Sequence, residues 1–84
     1  MQVTYKASVH RDPFGSFIAV FDDVLDAVSM GGCEEEALRE AEESLRIALE
    51  NRLQAGKPLP APRAAFGRDV TVMLADAPAL RISA

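Results

Sequence analysis

The chain has no tryptophan, one tyrosine, one histidine and one cysteine, and each shortage removes a class of protein. A single cysteine cannot close an intramolecular disulfide, so this is not a disulfide-stapled secreted miniature. A lone histidine, His10, and one distant cysteine cannot build a zinc site, and no Ser- or Cys-centred triad can be drawn from the spacing. No apolar run approaches the roughly 18 residues of a membrane span, and no basic-then-apolar leader pattern opens the sequence. A reducing cytoplasm is the expected compartment. Bases are also scarce: 9 Lys and Arg stand against 13 acids, for a net charge of −4. That balance works against nucleic-acid binding, which needs clustered Lys and Arg to neutralise phosphates, and favours a basic partner. What remains is 84 residues at 49% hydrophobic content, enough for one small globular domain with a modest core.

Hydrophobic periodicity divides the chain into five elements. Gln2 to His10 alternates without a break, with Val3, Tyr5, Ala7 and Val9 on one side, which predicts a half-buried strand. Asp12, Pro13 and Gly15 supply a turn, and FIAVF at Phe17 to Phe21 supplies a second strand, so the two form a hairpin. Phe17, Ala19 and Phe21 can face a core, which leaves Ile18 and Val20 apolar on the opposite face. A strand apolar on both sides belongs in a sheet covered on both faces. The second cover is expected to be another copy of the chain, with Ile18, Val20 and Met73 at that interface.

Asp22, Asp23 and Asp26 mark an acidic loop, and Ala27 to Met30 is a short third strand ended by Gly31 and Gly32. From Glu34 to Ala55, apolar residues at Ala37, Leu38, Ala41, Leu45, Ala48, Leu49 and Leu53 trace one helical stripe. Glu34, Glu35 and Glu36 suit the first turn and Gly56 the stop. Three prolines between Lys57 and Arg63 demand an extended connector, and Asp69 to Leu74 alternates as a last strand. The expected fold class is α+β, in the order β-β-β-α-β. One amphipathic helix packs on a three- to four-stranded, largely antiparallel sheet, with a domain over residues 1–74 and a tail over 75–84. The expected core is Val3, Tyr5, Val9, Phe17, Phe21, Leu38, Ala41, Leu45, Leu49, Leu53, Val70 and Val72.

This ordered set of residues resembles the HicB-like antitoxins of bacterial toxin–antitoxin pairs. The matching positions are Asp12, Pro13 and Gly15 in the first turn, Phe21 and Asp23 after the second strand, and Gly31 before the helix. They continue with Glu35, Glu36, Ala37, Leu38 and Ala41 in the helix, then Gly56, Leu59, Pro60 and Pro62. The resemblance implies a partial ribonuclease-H-like fold and a non-catalytic antitoxin that occludes a small basic, mRNA-cleaving HicA-like toxin. Two positions depart from the family pattern: Asp22 stands where proline is common, and Cys33 where Thr or Ser caps the helix. Many members carry a C-terminal DNA-binding segment about where this sequence stops, so promoter binding is not expected of the chain as given.

The fold name invites a nuclease reading, but two-metal cleavage needs converging carboxylates, and the first strand carries no acid. Asp12, Asp22, Asp23 and Asp69 read as solvated loop and strand-end residues. Cys33 reads as a capping substitute, His10 as a surface residue, and Gly31-Gly32 as no phosphate cradle, because three glutamates follow. No catalytic, cofactor or metal residue is expected. The candidate toxin contacts are Asp22, Asp23 and Asp26, as an electrostatic loop, and Ile47, which is apolar on the helix's polar side. The alternative function is a stand-alone oligomeric scaffold.

Overall fold

In a computed structural model that describes residues 1–74, the alternating start forms β1 (Gln2–Arg11) and FIAVF forms β2 (Phe17–Phe21). Their turn is held by Asp12, whose Oδ1 accepts the N–H groups of Phe14 and Ser16, each at 2.9 Å. The chain continues through β3 (Val24–Gly31), α1 (Glu34–Gln54) and β4 (Arg68–Met73). The sheet order is β3-β2-β1-β4, and every neighbouring pair is antiparallel. The expected α+β order and single covering helix are therefore present. The expected tail, residues 75–84, lies outside the described residues.

The third strand is longer than its alternation suggests. Asp22 and Asp23 alone make the turn, and Val24 already pairs with Phe21. Val20 pairs with Val28, so the register shifts between these rows. Val24 and Ala27 are both buried although an odd number of positions apart. A bulge of this kind breaks period-2 patterning, which is why Val24 to Asp26 reads as loop in sequence. Asp26 is accordingly a strand residue and not part of a loop.

The core forms where α1 lies across one sheet face. Tyr5, Phe21, Ala41, Leu45, Leu49, Val70 and Val72 are buried, together with Ala7, Ala19, Val24, Ala27, Ala37, Ala48 and Leu74. Val3, Val9, Phe17, Leu38 and Leu53 are only partly buried against it. Phe21, Leu45, Leu49 and Val24 are the largest fully buried side chains, each worth about 1.5–3 kcal/mol of burial. Alanines at positions 37, 41 and 48 keep the helix close to the sheet. At Gly31 a Cβ would lie 2.5 Å from the Ala37 backbone nitrogen, so only glycine lets β3 run into the helix.

The helix start differs from expectation at Cys33. It occupies the N-cap with extended backbone, but its side chain makes no capping bond. The Glu36 carboxylate accepts the Gly32 N–H at 2.7 Å instead. The proline connector is fastened at two points. Tyr5 donates its hydroxyl to the Pro60 carbonyl at 2.6 Å, and Asp23 Oδ2 accepts the N–H groups of Arg63 and Ala64 at 3.0 and 2.9 Å.

Candidate protein-interaction surface

The sheet face away from α1 is divided. Register places Met30, Ile18 and His10 in one row and Val28, Val20 and Ser8 in the next. Further along, Lys6 pairs with Asp69 at 2.7 Å and the Thr4 and Thr71 hydroxyls meet at 2.7 Å. The β1–β4 half is therefore polar and internally paired, apart from Met73 opposite Gln2. The β2–β3 half is apolar. Val28 and Met30 are 50% and 54% exposed, unusual for large aliphatic side chains on neighbouring positions of one strand face.

This apolar area continues round the edge of the sheet. A groove between β3 and α1 is lined by Val28, Met30, Glu40, Glu43, Ser44 and Ile47. Ile47 is thus not an isolated surface residue; it borders the exposed strand residues. Ile18 and Val20 join the same surface, whereas Met73 lies on the opposite edge strand and at the other end of the sheet. The three residues expected at one oligomer interface therefore do not form one patch. The alternation in β3, interrupted by its bulge, concealed Val28 and Met30 as surface residues. Phe14 at the β1–β2 turn and Leu25 are also exposed, and neither stood out by pattern.

The three aspartates have separate environments. Asp23 is engaged with the connector backbone, and Asp26 accepts a bond from Arg52 at 3.4 Å. Asp22 is exposed at the hairpin turn and has no partner among the described residues. The Asp23 charge has one further effect: burial, with Asp23 adding to it, pushes the Tyr5 hydroxyl pKa above its ordinary value, while Arg52 opposes the shift. Arg46 is fixed between Glu43 and Glu50, and Glu43 chiefly raises its already high pKa. His10 is exposed on the open face. Among the described residues no three His, Cys, Asp or Glu side chains come together in a way that could hold a metal ion. No described helix is long and apolar enough to cross a membrane.

What this arrangement offers is contact area of one kind: an aliphatic patch wrapped over a sheet edge and bordered by carboxylates. The sequence matches, over residues 4–83, the family described as HicB_like antitoxin of bacterial toxin-antitoxin system. The chain belongs to the HicB-like antitoxin family. Its fold is similar to the crystal structure of the N-terminal domain of the Burkholderia pseudomallei antitoxin HicB, with a TM-score of 0.59 at 15% identity. That likeness covers 94% of this chain and 80% of the other. No curated protein matches the sequence. The HicB-like assignment and the four-stranded α+β fold agree with what the ordered motifs imply.

Proposed function

We propose that this HicB-like domain acts by binding and occluding a small basic, HicA-like ribonuclease toxin, without catalysis of its own. The observation that carries the reading is the β3 surface, with Ile18, Val20, Val28, Met30 and Ile47 forming the contact. Exposed aliphatic area of this kind, rimmed by polar groups, is characteristic of partner-binding sites. Glu40, Glu43 and Asp22 border it, and their sign suits a basic partner, raising the association rate more than the final affinity. Of the three aspartates, Asp22 is the one left to steer the partner; Asp23 and Asp26 act indirectly, by holding the connector and Arg52 in place.

The reading is tested by expressing a HicA-like small basic protein, taken from the reading frame beside this chain where one stands there, with and without the chain. Growth arrest by the neighbour alone, relieved by co-expression and matched by co-purification, is the expected result. A neighbour that arrests growth equally in both cases would overturn the proposal.

A further inference from the structure

The chain has three methionines, and all of them are open to solvent: Met1 at 45%, Met30 at 54% and Met73 at 63%. Their sulfur atoms differ in surroundings. The Met73 sulfur accepts the N-terminal ammonium at 3.7 Å, which turns its lone pair toward a positive charge. The Met30 sulfur has no such partner among the described residues.

Met30 also stands in different company. Ile18 is its register partner on β2, Val28 lies two positions along the same strand face, and Ile47 borders the same groove. The polar groups of that groove offer a new acceptor nothing. The Ser44 hydroxyl already donates to the Val28 carbonyl, and the Ser29 hydroxyl to the Ala37 carbonyl. Glu40 and Glu43 carry acceptors only. His10, the ring donor in the same row, stands two strand spacings away, about 10 Å.

A thioether fits such a place because it is apolar and adaptable; a sulfoxide is polar and does not. We propose that Met30 is a modification site, where oxygen transfer from a peroxide to the sulfur switches off the toxin contact. The inference rests on the toxin-binding reading above and names a control of that same surface.

In the step, the sulfur lone pair attacks one peroxide oxygen, and the S–O bond forms as the O–O bond breaks. The proton on the transferred oxygen passes to the departing hydroxide, which leaves as water. Sulfur loses two electrons and the peroxide gains them. A toxin seated on the modified surface would bury the new oxygen without a donor from this chain and beside two carboxylates, and that desolvation weakens the complex. Toxin already in place shields the sulfur, so the free chain is the form modified. Reduction by a dithiol enzyme, which closes a disulfide and releases the oxygen as water, restores the contact.

Hydrogen peroxide is the probe, with peptide mass mapping and titration of the full chain against a HicA-like small basic ribonuclease. In the free chain Met30 should gain one oxygen before Met73 does. Affinity should then fall about tenfold or more while circular dichroism stays native. Met30→Leu should show the same affinity before and after peroxide, whereas Met73→Leu and Cys33→Ser should stay sensitive. Bound toxin should protect Met30 and leave Met73 reactive, and methionine sulfoxide reductase should recover the lost affinity. A Met30→Leu chain as sensitive as the parent overturns the inference, and so does a loss of binding that follows unfolding. Undiminished binding by chain oxidised at Met30 overturns this inference alone. Failure of the untreated chain to bind overturns the toxin-binding reading and this inference with it.

Discussion

β3 and β4 are both edge strands, and α1 treats them differently. At β3 the helix reaches the strand through short side chains: Ser44 donates to the Val28 carbonyl at 3.0 Å, and Ser29 donates to the Ala37 carbonyl at 2.8 Å. The β3 backbone is partly satisfied there, and what the strand offers a partner is its side chains, Val28 and Met30. At β4 the helix extends long charged residues over a groove, and the strand keeps its outward backbone groups free among the described residues. One edge is suited to recognition by apolar area, the other to recognition by hydrogen-bond pairing.

The largest effect comes from removing what both edges share. Leu45, on the sheet-facing side of α1, is fully buried, and Leu45→Ala should cost about 2–5 kcal/mol, a large part of the stability of so small a domain. Thermal unfolding monitored by circular dichroism should show the loss, with toxin binding falling in step. If toxin binding survived at full strength in an unfolded chain, the β3 surface would not depend on the helix.

Next in size is a change confined to one edge. Val28→Asp with Met30→Asp should weaken toxin binding by about 100-fold or more, as loss of a desolvated apolar contact does. Titration calorimetry should find this while circular dichroism stays native. An unchanged affinity would erase the distinction between the two edges.

Ser44→Ala isolates the covering of the β3 backbone. It should cost about 1 kcal/mol, read from chemical denaturation, and leave the β4 edge unaffected. The smallest effect is a pH dependence. Tyr5 has a raised pKa when folded, so its contribution is fully present below the ordinary tyrosine pKa and is lost as pH rises through the folded value. It is the only tyrosine, so tyrosinate absorbance reports it directly. An ordinary titration midpoint would show that the Tyr5 hydroxyl is not buried beside Asp23 in solution.

The sequence exposed those parts of the fold that obey a simple period. β1, α1 and β4 each keep an unbroken alternation or stripe, β2 is one apolar run between turn residues, and the glycines at 31 and 56 mark real transitions. β3 does not keep such a period: its bulge places Val24 and Ala27 out of phase, which conceals the strand carrying the most exposed aliphatic residues. Asp22, Asp23 and Asp26 look equivalent as letters, yet one is exposed, one holds the connector and one meets Arg52. Such differences depend on residues about 26 to 41 positions away, which no local pattern contains. Ile47 was visible as an anomaly on the helix; its neighbours Val28 and Met30 required the fold.

The central claim is that this chain silences a toxin by covering it. The most direct measurement titrates the purified chain into mRNA cleavage catalysed by a HicA-like small basic ribonuclease. The account predicts that cleavage falls to background as the chain saturates the toxin, and that the Val28→Asp, Met30→Asp variant fails to inhibit. Undiminished cleavage at saturating chain, or equal inhibition by that variant, would contradict it.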